Sequence, residues 1–179
     1  MIKQLKDVHL QMIVAMDEGG GIGYQGMLPW PKNTKDFKFF QEKTKGSIVI
    51  MGRKTYEEIA QINQQRGKKD GPLLPNRVSI VISSEEIVSA YEITVEKSLL
   101  SAIQYRIEED DKPVFIIGGL QLYTEALPFV KTLYVTVFKG TYQCDRYLPI
   151  KYLTQNFDIV EGTDEKDLYF LKLNRVKNL

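Results

Sequence analysis

Ser47-Ile48-Val49-Ile50-Met51 runs directly into Gly52-Arg53-Lys54-Thr55-Tyr56. The first half is a short, continuous apolar stretch, the pattern of a strand buried on both faces. Gly52 turns the chain, and Lys54 to Ile59 reads as a helix. A strand that passes through glycine into a helix leaves unpaired backbone N–H groups at the sheet edge, where they favour phosphate. Arg53 and Lys54 add charge there and Thr55 adds a hydroxyl. The plainer reading of the same residues is a solvated basic surface.

The same grammar recurs on either side. Val8 to Met16 is a β-branched, apolar run that ends at Asp17-Glu18-Gly19-Gly20-Gly21. Asn33 to Thr44 reads as a helix with Asn33 as its N-cap. Arg77 to Ile82 is a buried strand closed by Ser83-Ser84. Ile93 to Val95 reads as a short strand and Ser98 to Arg106 as an amphipathic helix. Val114 to Ile117 is followed by Gly118-Gly119 and a helix to Ala126. Leu133 to Val137 is a fifth strand, and Phe157 to Val160 with Leu168 to Leu173 form an antiparallel pair. Strands alternating with helices predict an α/β fold: three layers, doubly wound, with a mostly parallel central sheet and an antiparallel C-terminal edge hairpin. Ligands of such sheets bind beyond the carboxyl ends of the strands, which puts the loops after Met16, Met51, Ile82 and Ile117 on one functional edge. One domain is expected over 1–179, with an exposed loop or partly helical insertion near 61–72.

Composition narrows the function classes. A formal net charge of +1 over 179 residues provides no global field to gather nucleic acid or an anionic membrane. Cys144 has no intrachain partner and His9 is the lone histidine, so no disulfide and no metal site is expected, as suits a reducing compartment. Met1 to Asp7 lacks the apolar stretch of a signal peptide, and no run approaches the length of a membrane helix. The chain reads as cytoplasmic and, with no unpaired amphipathic seam, as a monomer.

Gly21-Ile22-Gly23-Tyr24-Gln25-Gly26 matches G-x-G-x-x-G literally. A dinucleotide fingerprint needs a helix to open at these glycines, but Pro29 and Pro31 follow at once. A flexible glycine-rich loop on the functional edge, a candidate lid, fits better.

Three further positions carry chemistry. Asp36 sits at N3 of its helix if Asn33 is the cap, where the helix dipole favours a carboxylate. Alternatively its carboxylate faces a pocket beside Phe37 and Phe40 and grips an amidine-like edge with paired hydrogen bonds. Gly118-Gly119 permits close backbone approach by a ligand, or is a tight packing turn. Ser83-Ser84 offers hydroxyls at a strand end, or merely caps the next turn.

Leu28-Pro29-Trp30 followed by Asp36, then Ile50-Met51-Gly52-Arg53-Lys54-Thr55-Tyr56, then Ile116-Ile117-Gly118-Gly119 leading to Tyr123, together resemble the dihydrofolate reductase family. The resemblance runs from about Ile13 to Pro149. It implies NADPH as cofactor, dihydrofolate as substrate and antifolates as inhibitors. Asp36, with Leu28, Trp30, Thr136 and Tyr123, would form the catalytic group, Thr136 bonding to Asp36. Ile13, Val14, Ala15, Phe37, Phe40, Ile59, Leu74 and Ile117 would line the pterin and benzoyl pockets, and Arg77 would pair with the glutamate tail. Gly52, Lys54, Thr55, Gly118, Gly119, Leu120 and Gln121 would surround the cofactor phosphates. Arg53, Ser83 and Ser84 would meet the 2′-phosphate. Ala15, Ile22 and Tyr123 would lie near the nicotinamide, Ile117 would also bind the cofactor, and Gly19 to Trp30 would form the lid.

The chain also departs from the family pattern. The segment between Ile59 and Leu74 is long, Leu120 stands where a small residue is common, and Glu85-Glu86 bring negative charge beside the serines. Two alternatives share the fold: a reductase of a riboflavin precursor, and a non-catalytic folate- or nucleotide-binding protein. Pro29-Trp30 with Asp36, and Arg77, argue against the first; intact Asp36, Arg53 and Arg77 in one chain argue against the second.

Overall fold

The computed structural model describes residues 4–107 and 111–177, without the side chains of 105–107; the first three residues of the N-terminal stretch read above lie outside it. Its frame is an eight-stranded sheet built from β1 (Leu10–Asp17), β2 (Ile48–Gly52), β3 (Val78–Ile82), β4 (Thr94–Glu96), β5 (Val114–Gly118), β6 (Val130–Phe138), β7 (Phe157–Asp164) and β8 (Leu168–Arg175). The spatial order is β7-β8-β6-β1-β5-β2-β3-β4. All neighbours from β6 to β4 pair in parallel. The β6–β8 and β8–β7 pairs are antiparallel, as the C-terminal hairpin predicted.

The helices are α1 (Thr34–Thr44), α2 (Arg53–Gln65), α3 (Leu99–Ile107), α4 (Leu120–Ala126) and α5 (Ile150–Asn156). Period-two alternation in the strands divides the core between two faces. Leu10, Met12, Val14, Ile48, Ile50, Ile80 and Ile116 pack with Leu99, Ile103, Leu122, Ala126 and Leu153 of α3, α4 and α5. Ile13, Val49, Met51, Val81, Phe115 and Ile117 pack with Tyr56 and Ala60 of α2, and with the half-buried Phe39 and Phe40 of α1. Each fully buried Ile or Leu stabilises by roughly 1.5–3 kcal/mol, so Ile50→Ala in this close-packed sheet would cost about 2–5 kcal/mol.

Helix α1 begins where the Asn33 side chain accepts the Asp36 N–H (3.1 Å). It ends where the Thr44 hydroxyl turns back onto the Phe40 carbonyl. Helix α2 starts directly at Arg53 and runs well past the expected Ile59, because the glutamines after Ala60 are good helix formers. Gly67, in a left-handed conformation (φ +78°), closes it as a C-terminal cap. The first five of the twelve residues of the anticipated insertion, 61–65, are therefore helix. The rest is tied down: Gly71–Pro72 pairs with Tyr91–Glu92, Asn63 donates to the Leu73 carbonyl (2.8 Å), and the Tyr91 hydroxyl donates to the Lys68 carbonyl (2.7 Å). Among the described residues no helix is long and apolar enough to cross a membrane.

Candidate active site

Asp36 stands in the first turn of its helix with its side chain half-buried. Its N–H is capped by Asn33, and its half-buried carboxylate is hydrogen-bonded by Thr136. Burial raises the Asp36 pKa above its ordinary value, and the Thr136 bond pulls it part of the way back. Thr136 is 1% exposed on β6, in register with Ala15 of β1. From the opposite face the buried Tyr123 hydroxyl of α4 donates to the Ile13 carbonyl (2.9 Å). Burial, and then the charge of Asp36, push that phenol well above its usual range. Four elements thus converge on one carboxylate.

Ile13 and Ile117 form the sheet floor beside Asp36, and Phe40, Ile59 and Leu74 pack against the same cluster. Ala15 lies against Trp30 and Phe138. Val14 corrects the expectation: strand alternation sends its side chain to the opposite core, leaving only its backbone toward the site. Phe37 (52% exposed) and Leu28 (60%) make an apolar rim, a placement that suits an aromatic ligand rather than the core. The Arg66 guanidinium lies 6.0 Å from the Phe37 ring, joining the end of α2 to α1.

Arg77 is held in place. Its Nε donates to Thr44 Oγ1 (2.8 Å), its Nη2 to the Gln41 carbonyl (2.6 Å) and its Nη1 to the Pro75 carbonyl. Its guanidinium lies 6.0 Å from the Phe40 ring. Partial burial lowers its pKa, but an arginine stays charged at any working pH. Three of its five donors are committed, which leaves an oriented fork edge for a carboxylate.

The two strand–glycine–helix junctions abut. A Cβ on Gly52 would stand 3.7 Å from the Gly119 nitrogen, and one on Gly119 would stand 3.6 Å from Thr55 Oγ1. Gly118 has φ +131°, and a Cβ there would approach Thr55 Oγ1 to 3.3 Å and the Tyr123 hydroxyl to 3.4 Å, so glycine is required. The Gly118–Gly119 peptide is cis. The result is a backbone-lined cradle beside the N-terminus of α2, a fit for a ligand carrying phosphates. Lys54 and Gln121 are exposed at its margin. Leu120 and Ile22, both half-buried, pack against the main core. Gly52 and Ile82 are in register, which brings Arg53 alongside the Ser83-Ser84 turn. Ser83 is buried and bonded within that turn, while Ser84 is exposed.

The glycine-rich segment is no helix. Gly21–Gly23 pairs with Arg146–Tyr147 as a two-stranded ribbon. Asp17, 1% exposed, accepts from the N–H groups of Gly19 (2.9 Å), Gly21 (2.8 Å) and Tyr142 (2.8 Å). Asp145 accepts from the Gln25 N–H (2.8 Å). Arg146 and Lys54 both act on the Glu58 carboxyl of α2, whose pKa burial pushes up, so the ribbon borders the phosphate cradle. Trp30 stacks on Phe138 (4.4 Å between centroids) with Tyr142 edge-on. Its Nε1 is buried with no partner among the described residues. The anchoring roles of Asp17, Phe138, Tyr142 and Asp145 were missed in the sequence. Only Asp17 carried a local signal, an acid leading a glycine run.

No group of metal-ligating side chains occurs among the described residues. A separate open groove of about 1040 Å³ lies at the start of β1 and the end of β8, lined by His9, Gln11, Thr132, Tyr134, Lys172 and Asn174 among others. Its lining among the described residues is polar and basic.

The model of the family described as dihydrofolate reductase matches residues 9–175. Dihydrofolate reductase of Bacillus subtilis (strain 168) is 35% identical over 164 residues, covering 89% of each chain. That of Staphylococcus haemolyticus is 29% identical over 178 residues, covering 94% of this chain and 96% of its own. The solved structure of dihydrofolate reductase from Enterococcus faecalis, complexed with NADP(H) and RAB-propyl, superposes with a TM-score of 0.73 at 29% identity, over 93% of this chain and 95% of that one. With the strand order, the paired glycine junctions and the Asp36 site already in place, the match over nearly the whole length means that this chain belongs to the dihydrofolate reductase family.

Proposed function

We propose that the chain reduces 7,8-dihydrofolate to 5,6,7,8-tetrahydrofolate with NADPH, delivering a hydride to pterin C6 and a proton to N5, as one-carbon metabolism and thymidylate synthesis require. The observation that carries the reading is the half-buried Asp36 carboxylate, hydrogen-bonded by Thr136 beneath an apolar rim.

Asp36 takes the 2-amino and N3–H edge of the pterin in paired, charge-assisted hydrogen bonds, and Thr136 fixes its orientation. Ile13, Ala15 and Ile117 offer a flat apolar floor to the ring. Leu28, Phe37, Phe40, Ile59 and Leu74 enclose the benzoyl group, and Arg77 pairs with the glutamate α-carboxylate. Gly52, Thr55, Gly118 and Gly119 let the cofactor backbone approach closely, with Lys54 and the backbones of Leu120 and Gln121 at its phosphates. Arg53, with Ser83 and Ser84, meets the adenosine 2′-phosphate. Bound NADPH supplies the hydride. Asp36 need not touch N5: its negative charge stabilises the protonated pterin, with water as the immediate donor. Tyr123, through the Ile13 carbonyl, and the Trp30 stack hold the floor in place, while Gly19 to Trp30 excludes bulk water. The enzyme acts as a cytoplasmic monomer, and antifolates compete for the pterin cleft.

The test supplies purified protein with NADPH and either dihydrofolate or a pyrimidine-type riboflavin precursor, following reduced-nicotinamide absorbance and identifying the product. Oxidation that requires dihydrofolate and yields tetrahydrofolate supports the reading. Turnover of the pyrimidine alone points to the related reductase. Folate binding by folded protein without turnover points to a non-catalytic binder.

A further inference from the structure

Arg53 does not present a free guanidinium. Its Nη1 donates to Glu85 Oε2 at 2.7 Å, and its Nε donates to Glu57 Oε1 at 3.0 Å. The two acids reach it from different elements: Glu57 lies one turn along α2, and Glu85 lies on the turn after β3. The Glu85 backbone is pinned by the buried Ser83, whose hydroxyl donates to the Glu85 carbonyl (2.8 Å) and accepts the Glu85 N–H (3.2 Å). That turn delivers the carboxylate to Arg53 across the β2–β3 edge. Two carboxylates, Glu57 and Glu85, thus share the one guanidinium.

A phosphomonoester at neutral pH carries close to two negative charges and prefers the paired donors of a guanidinium. To use Nη1 it must open the Glu85 pair. The displaced carboxylate then remains within a Debye length, roughly 8 Å at physiological ionic strength, and repels the phosphate. Both partners of the pair are exposed, so it opens readily and acts as a competitor rather than a block. NADH lacks the phosphate and is indifferent to that contest.

We infer that Glu85 is a specificity-determining residue: it occupies Arg53 and so lowers the chain's preference for the 2′-phosphorylated dinucleotide over NADH. The inference rests on the reading of Arg53 as the 2′-phosphate contact. It adds that the Ser83–Glu85 turn tempers that contact instead of assisting it.

The experiment measures equilibrium dissociation constants for NADPH and NADH, by quenching of intrinsic fluorescence, in wild type, Glu85→Gln, Arg53→Gln and the double variant. Glu85 is exposed and its local anchors are backbone bonds, so melting curves should confirm that all four proteins fold. The expected result is that Glu85→Gln tightens NADPH roughly two- to fivefold, the scale of an exposed ion pair, and leaves NADH within measurement error. The gain shrinks at high salt and disappears in the Arg53→Gln background. An equal change for both nucleotides, or no change for NADPH in a protein whose Arg53→Gln variant does lose NADPH selectively, overturns the role of Glu85. If Arg53→Gln leaves the NADPH to NADH ratio unaltered, the 2′-phosphate reading of Arg53 itself fails.

Discussion

The Thr136 hydroxyl hydrogen-bonds the Asp36 carboxylate from a β6 position in register with Ala15 of β1. The acid proposed to face the pterin is therefore fixed by the sheet itself and not by its own helix alone. Burial raises the Asp36 pKa and Thr136 lowers it. Thr136→Val keeps the shape and removes the bond, so the Asp36 pKa should climb further. The acid limb of kcat/KM should then move to higher pH, and kcat/KM near neutrality should fall by about three- to tenfold, the worth of one such bond. A pH–rate profile superimposable on wild type would remove Thr136 from the account.

The same shift carries a sign for stability. A carboxyl whose folded pKa lies above its unfolded value contributes stability that is fully present below the unfolded value of 3.8. That contribution is lost as pH rises through the folded pKa, because ionising the buried group penalises the native state. Asp36→Asn lacks this loss. Its melting temperature should exceed that of wild type at neutral pH, with the difference shrinking toward the acid side. Melting curves across pH test this, and a variant that is less stable only at neutral pH would reverse the sign.

Arg77 is braced by Thr44, Gln41 and Pro75, and its proposed place is at the substrate tail, remote from the hydride. Arg77→Gln should raise KM for dihydrofolate by roughly ten- to a hundredfold, the range of a lost charged hydrogen-bond pair. Removing uniform binding leaves kcat nearly unchanged. Steady-state kinetics with a pterin lacking the glutamate should show no difference between the two proteins.

Asp17 ties the root of the proposed lid with three backbone N–H bonds. In Asp17→Asn one carboxylate oxygen becomes an amide that cannot accept. One buried N–H loses its partner, and stability should fall by about 1–3 kcal/mol. Amide exchange at Gly19, Gly21 and Tyr142 should quicken more than exchange in β1. Uniform acceleration would mean that Asp17 supports the whole fold and not the lid.

What could be read in advance was local. The run into Gly52 and the run into Gly118-Gly119 are contiguous patterns, and both junctions stand where expected. The Asn33 cap on Asp36 is likewise a short-range signal. The partner of Asp36, by contrast, lies a hundred residues away, and only the family resemblance paired it with Thr136. Val14 was legible and misplaced: strict alternation assigns it to the face opposite Ile13. The end of α2 was hidden because its last turns pack little apolar surface, leaving no periodicity to extend. The Arg53–Glu85 pair joins two exposed side chains from separate elements, and such a pair leaves no spacing for a sequence to display. Asp17 announced a turn, but the Tyr142 N–H that completes its set is 125 residues distant.

The most direct test of Asp36 as the group that promotes protonation is the rate of hydride transfer from NADPH to dihydrofolate, followed by reduced-nicotinamide absorbance in wild type and Asp36→Asn from acid to neutral pH. The account predicts turnover that needs both substrates, and a loss in kcat/KM of at least about a hundredfold in the variant. Full kcat/KM in folded Asp36→Asn across that range would contradict it.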